Sequence, residues 1–312
     1  MNLPVDVLLI VCSGFGLWWG AVWLVESAAR IAKRLGMSEL VIGLTVVAFG
    51  TSAPEFAVTF TAALRGQADI SVGNVVGSNI FNLGFILGGV ALVRAIRTTP
   101  PLIYRDGTAL IGTSVLLLLL LSDLSLARWE GALLMLLLVA YLLVLLRSRN
   151  TLEEEIPAGQ MRWFDIPRLL VGIAVVIGAG HMLVDSASSL ARAVGISEWV
   201  IGVTIVAAGT SAPELATSLV AVTRGRYGIS AGNLLGSDLF NLLGVLGLAA
   251  VVRPMTVDPA SFGSLLMLCG LVVLVVVMLR SSWQLSRTEG GILITLNLAR
   301  WIMDFAGRGH AP

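Results

Sequence analysis

Two acids lie inside runs long and apolar enough to cross a membrane. Glu55 sits in VIGLTVVAFGTSAPEFAVTFTAALRG (41–66), and Glu214 sits in its near-copy VIGVTIVAAGTSAPELATSLVAVTRG (200–225). A carboxylate at the centre of a membrane helix costs about 3 kcal/mol on insertion scales, so an intramembrane acid marks a functional site by default. Each glutamate follows a threonine by four residues, Thr51 and Thr210, and helical spacing puts Ala48 and Ala207 on the same face with Ser52 and Ser211 at its edge. Pro54 and Pro213 precede the acids and remove a backbone N–H. Carbonyls near Gly50 and Thr51, and near Gly209 and Thr210, then lose their helical partners. At membrane depth such oxygens persist only where protein, water or an ion satisfies them.

The segments that follow, GNVVGSNIFN (73–82) and GNLLGSDLFN (232–241), align Asn74, Ser78 and Asn82 on one face and Asn233, Ser237 and Asn241 on its counterpart. Gly73 with Gly77, and Gly232 with Gly236, are small-xxx-small pairs that predict close helix approach. The donor set is all oxygen, the preference of hard cations such as Ca²⁺ and Na⁺, with no thiol or imidazole placed to favour a softer metal. A single mid-helix proline, hydroxyl or glycine is commonly structural. The duplicated acids carry the functional reading.

The elements that hold these residues are legible from composition. The chain of 312 residues is 57% hydrophobic and 12% charged, with a mean hydropathy of +0.93, against about 25% charged residues in soluble domains. It reads as an all-α polytopic membrane protein. Apolar blocks give ten candidate spans: 5–29, 38–64, 69–93, 102–122, 129–147, 166–191, 197–223, 228–252, 259–280 and 289–305, the last being the weakest. The polar stretch RSRNTLEEEIPAGQMRW (147–163) separates two groups of five. The expected organisation is a first repeat over 1–147, a linker over 148–164 and a second repeat over 165–312. An offset of 159 positions relates Glu55 to Glu214, and 39–89 laid on 198–248 without a gap matches at 28 of 51 positions. Because five is odd, the second half is expected upside down relative to the first, the inverted-repeat plan in which ions bind near the midplane.

With the N-terminus outside, fourteen of the twenty basic residues fall on the cytoplasmic side, as the positive-inside rule favours. Both termini are then expected outside and the linker inside. The first block lacks a basic n-region and is read as a retained helix. Cys12 and Cys269 are read as small core residues. Glu26, Asp185, Glu39 and Glu198 are expected in solvated or capping roles near span ends, and Asp69 and Asp258 in loops. Scattered basic residues leave no stripe for nucleic acid; inorganic cations and the lipid bilayer are the expected partners, and no cofactor is expected.

GTSAPE followed by GNVVGSNIFN, and GTSAPE followed by GNLLGSDLFN, resemble the two alpha-repeats of the sodium/calcium exchanger branch of the cation/calcium antiporter superfamily, in its prokaryotic form. The resemblance spans the chain in length, span count and duplication. It implies ten transmembrane helices in two inverted repeats of five, in a prokaryotic cytoplasmic (inner) membrane, exchanging Na⁺ for Ca²⁺ by alternating access through four central cation sites. Carried over position by position, it implies a calcium site of Glu55 and Glu214 with backbone oxygens of Thr51 and Thr210. Sodium sites would add the carbonyls of Ala48 and Ala207 and the side chains of Ser52, Ser78, Ser211, Ser237, Asn82 and Asn241. In one departure, prokaryotic members often have aspartate where this chain has Asn241, and asparagine where it has Asp238. The expected central charge is therefore −2, which balances one Ca²⁺ or two Na⁺.

The nearest competing expectation is a proton-driven Ca²⁺ antiporter, whose branch usually carries Gly-Asn-x-x-Glu around the acid. A serine hydrolase built on Ser52 or Ser211 would need a base, yet the two histidines are His181, inside the sixth span, and His310, in the tail. The chain is therefore not read as an enzyme. A passive channel shares the ligands but gives no reason for an inverted repeat.

Overall fold

The computed structural model describes residues 3–147, 160–193, 205, 207–259 and 261–308. The fold is all-helical. Helix α1 (Leu3–Leu35) is followed by a bent pair, α2 (Glu39–Thr51) and α3 (Ala53–Leu64), and by α4 (Ala68–Val93), α5 (Leu102–Asp123), α6 (Arg128–Arg147) and α7 (Asp165–Ala193). Then come α8 (Ala207–Thr210), α9 (Ala212–Thr223), α10 (Tyr227–Val252), α11 (Ser261–Ser281) and α12 (Arg287–Arg308). Among the described residues seven helices are long and apolar enough to cross a membrane, or eight with the bent pair taken as one span. The expected span 197–223 is described only in part, and Glu198 lies outside the described residues. Over the expected tenth span, α12 is helical but lacks the apolar window of the others.

The punctuation is local chemistry. Gly66 (φ +75°) and Gly225 (φ +72°), 159 positions apart, end α3 and α9 in the left-handed conformation that a side chain would strain. Wider π-helical turns interrupt the long helices at Gly43–Val47, Asn82–Ile86, Leu102–Gly107 and Phe240–Val245, a feature frequent at functional sites. Two short antiparallel strand pairs join loops from distant parts of the chain. Strand β1 (Ile96–Arg97) pairs with β4 (Gln284–Leu285), and β2 (Ser125–Leu126) pairs with β3 (Met255–Thr256). The registers Ile96↔Leu285 and Leu126↔Met255 are interchanged by the 159-position offset.

Two hydrophobic cores form. The larger draws on α2 to α6 and α9 to α12; the smaller joins α1 and α7 to Ile42, Val47, Val220, Ala221 and Ile229. Val5, Leu8, Val11, Phe15 and Trp19 lie exposed on α1, the apolar outer face of a helix in lipid. Cys12 is exposed on α1, not in the core, and Cys269 is half-buried. A Cβ on Gly232 would stand 2.6 Å from the Leu40 carbonyl, and one on Gly236 2.7 Å from Leu44 Cα, so the second small-xxx-small pair does bring α10 against α2. No described atom lies within 4 Å of a Cβ placed on Gly73 or Gly77, and positions 199 and 203, which the offset would set against them, lie outside the described residues.

Ion pairs fasten the helix ends. Glu26 meets Arg168 at 3.1 Å and Arg224 at 2.7 Å, and Arg30 meets Asp165 at 2.7 Å. Glu39, expected to be solvated or capping, is buried in the first turn of α2 and pairs with Arg226 at 2.6 Å, because α10 packs over that turn. Asp185 is exposed, as expected near a span end. Asp69 stands in the first turn of α4 rather than in a loop, and its carboxylate accepts from the Asp258 N–H at 2.7 Å.

Candidate cation site

The broken helices set the site. Pro54 and Pro213 occupy the first turn of α3 and of α9, where a missing N–H costs nothing. The preceding residues, Ser52 (ψ 9°) and Ser211 (ψ 8°), leave helical geometry, and the axis between α2 and α3 turns by 52°. The break thus falls at the serine and not at the proline. Glu55 and Glu214 therefore start new helices, near N-termini whose dipoles favour negative charge. Both are fully buried.

Each glutamate is held by the other break. The Ser52 hydroxyl donates to Glu214 Oε1 at 3.1 Å, and the Ser211 hydroxyl donates to Glu55 Oε1 at 3.0 Å. Ser237 adds a longer bond to Glu214 Oε1 at 3.4 Å. The Thr51 hydroxyl lies 3.0 Å from Asn233 Oδ1, 3.4 Å from Ser237 Oγ and 3.3 Å from the Ala48 carbonyl. That carbonyl also accepts the Ser52 N–H at 3.0 Å. Thr210 is buried, Ala207 opens α8, and Ser78 is buried on α4. His181 is exposed on α7, and His310 lies outside the described residues.

Asparagines outside the expected ligand set lock the geometry. Asn74 donates to the Glu55 carbonyl at 3.2 Å and to Thr59 Oγ1 at 2.9 Å. Asn233 donates to the Glu214 carbonyl at 3.4 Å and to Ser218 Oγ at 2.9 Å. The 159-position offset relates these bonds too, and that regularity is the signal by which Thr59 and Ser218 could have been found. Beside the glutamates lies a second polar knot. Asn82 Nδ2 donates to Asp238 Oδ1 at 3.0 Å, Asn79 Nδ2 to the Asp238 carbonyl at 3.0 Å, and Asn241 Nδ2 to Asn79 Oδ1 at 3.2 Å. Asn82 and Asn241 are thus brought next to a residue absent from the expected set. Beside the two glutamates stands a third buried acid, Asp238, one helical turn before Asn241 and in contact with Asn82.

The donors point one way chemically. Glu55 Oε2, Glu214 Oε2, Asn82 Oδ1, Asn241 Oδ1 and Asp238 Oδ2 are buried without a hydrogen-bond partner. All five are acceptors, and leaving buried acceptors unmet costs about 1–3 kcal/mol each, more when charged. Among the described residues no group of three or more His, Cys, Asp or Glu side chains forms a metal cluster. What exists is a pair of buried glutamates with Asp238 beside them among neutral oxygens, an all-oxygen set suited to a hard cation.

The sodium/calcium exchanger protein family matches residues 5–147 and 166–299. The chain is 35% identical to the inner membrane protein YrbG of Escherichia coli, covering 96% of this chain and 94% of that protein. It is 30% identical to the sodium/calcium exchanger MaX1 of Methanosarcina acetivorans, over 97% and 99% of the two chains. Its fold superposes on the sodium-calcium exchanger NCX_Mj, in a crystal soaked with zero Na⁺ and Ca²⁺, with a TM-score of 0.85 and 28% identity, covering 96% of this chain and 98% of that one. These matches run almost end to end and include both GTSAPE segments, so the chain belongs to the sodium/calcium exchanger protein family.

Proposed function

We propose that this protein exchanges Na⁺ for Ca²⁺ across a prokaryotic inner membrane by alternating access, with Glu55 and Glu214 as the shared charge. The observation that carries the reading is the crossed pair of bonds, Ser52 to Glu214 and Ser211 to Glu55, with one oxygen of each acid left unmet. Ca²⁺ would bind the carboxylates with backbone oxygens of Thr51 and Thr210. Na⁺ would use the Ala48 and Ala207 carbonyls with Ser52, Ser78, Ser211, Ser237, Asn82 and Asn241. Either load neutralises charge that otherwise resists an apolar barrier, and this competition couples the fluxes. The α1–α7 pair, with a smaller core of its own against α2, α9 and α10, would be the body that moves against the rest.

The full architecture we propose is ten spans in two inverted repeats, 1–147 and 165–312, joined by a cytoplasmic linker over 148–164, with both termini outside. The strand pairs support this count. Paired strands share one side of the bilayer, so an even number of crossings must separate them. Between β2 and β3 run α6, α7 and α10, so the stretch between α7 and α10 must supply one crossing more, which argues for α9 as part of a span. Helix α12 stands at the 159-position offset from α6, and the repeat argues for it as the tenth.

Glu55→Gln and Glu214→Gln, reconstituted into proteoliposomes, test the site. Each variant is expected to lose ⁴⁵Ca²⁺ uptake by at least about a hundredfold, since about 3 kcal/mol of charge pairing disappears, while eluting as folded protein in gel filtration. Near-parental uptake by either variant would overturn the assignment.

A further inference from the structure

Charge is out of balance at the border where α1 ends and α7 begins. Gly16 packs on Ala179 and Gly20 on Gly172, so the two helices run antiparallel and the last turn of α1 lies beside the start of α7. The carboxylates described there are spent. Asp165 takes Arg30 at 2.7 Å and the Arg162 N–H at 2.6 Å, and Glu26 takes Arg168 at 3.1 Å and Arg224 at 2.7 Å. Lys33, Arg34 and Arg162 stay exposed, and none of their side chains meets a carboxylate among the described residues. Arg162 lies over the Phe164 ring, 5.8 Å from its centroid.

These cations converge. Arg30, Lys33, Arg34 and Arg162 line one cavity of about 650 Å³, walled also by Met161 and Trp163. A guanidinium offers paired N–H groups that match phosphate oxygens, and an ammonium adds a point charge, so the cavity suits an anion with several oxygens. Its outer edge is apolar. Trp163 is 86% exposed, and Ile166 and Leu170 follow it, also exposed, along the outside of α7. Tryptophans at a membrane border sit at headgroup level, and exposed aliphatic side chains of a membrane helix face acyl chains. A free anion or an acidic peptide would use the cations and leave the apolar strip unmatched; an amphiphile uses both.

We propose that this cavity binds one anionic phospholipid, its phosphate held by Lys33, Arg34 and Arg162 and its acyl chains lying along Ile166 and Leu170. Basic pockets between membrane helices at the lipid border take such headgroups. The bound lipid fastens the ends of α1 and α7 to the bilayer border, whichever ions the protein carries.

Native mass spectrometry of the full chain in detergent, titrated with phosphatidylglycerol or phosphatidylcholine, tests the site. The parent is expected to retain one phosphatidylglycerol with at least about tenfold preference over phosphatidylcholine. Lys33→Gln with Arg34→Gln is expected to weaken that binding by at least about tenfold, and Arg162→Gln gives a loss of the same kind should the double variant not fold. Arg147→Gln removes a charge at the end of α6, outside the cavity, and is expected to bind as the parent does. Equal binding by parent and cavity variants overturns the proposal, as does an equal loss in Arg147→Gln, which would mean loose attraction to border charge. Displacement of the lipid by glycerol 3-phosphate at matching concentration would make this a free-anion site and overturn the lipid. The sequence carries three glutamates at 153–155, in the linker that leads to the cavity. A parent that takes no phosphatidylglycerol, beside a Glu153→Gln, Glu154→Gln, Glu155→Gln variant that does, would give the cavity to the chain's own acids and overturn the proposal.

Discussion

At the scale of single residues, the crossed serines make a specific demand. Each hydroxyl steadies the acid that belongs to the other break, and a hydrogen bond to a charged group is worth about 1.5–3 kcal/mol. Ser52→Ala and Ser211→Ala are each expected to raise the Ca²⁺ concentration for half-maximal uptake by about tenfold or more. The two effects are expected to match, because the two bonds differ by only 0.1 Å; a loss confined to one variant would show that the halves do not share the ion equally. The acids, threonines and serines were legible in the sequence because each repeats after 159 positions in an apolar run that otherwise excludes them. That each serine serves the opposite acid was not legible, since i, i+3 spacing also satisfies a local reading and the crossing depends on two distant breaks meeting. Asp238 escaped for the converse reason. Its counterpart is Asn79, so the repeat that exposed the glutamates gave it no support.

At the scale of elements, the proline positions foretold interrupted helices, and the structure puts the interruption at Ser52 and Ser211, with each proline inside the helix that follows. Pro54→Ala would return an N–H to the Gly50 carbonyl and favour a continuous helix through the 52° turn. It is expected to change melting temperature little, since a first-turn proline is nearly neutral, but to cut ⁴⁵Ca²⁺ uptake strongly by drawing Glu55 away from Ser211. Full activity in Pro54→Ala would show that the break is dispensable. Close packing makes the opposite prediction about stability. Gly232→Ala must push against the Leu40 carbonyl, an overpacking cost of about 1–3 kcal/mol, and is expected to lower the melting temperature in detergent. Gly112→Ala, with nothing within 4 Å of the added carbon, is expected to leave it unchanged or raise it. The glycine spacing announced close helix approach without naming the partner, whereas the π-helical turns and the two strand pairs carry no periodicity in the sequence.

At the scale of the whole molecule, composition alone announced a helical membrane protein, and the seven or eight apolar helices, with the family match over both halves, agree with it. The ten-span count came from the apolar blocks, and the parity of the strand pairs argues here for the seventh of them. Both halves converge on one buried set of oxygens drawn from α2, α4 and α10 and from the starts of α3 and α9, so the proposed ion would draw on both. In the proposed exchange the site would empty and refill from each side, and only an opposing gradient reveals which ion drives it. The most direct test is ⁴⁵Ca²⁺ uptake into proteoliposomes loaded with Na⁺, with and without an outward Na⁺ gradient, at equal pH on both sides. Uptake against the Ca²⁺ gradient is predicted when Na⁺ is high inside, and its collapse when Na⁺ is equal across the membrane. Accumulation that ignores the Na⁺ gradient but follows an imposed pH difference would contradict sodium exchange and place a proton in its role.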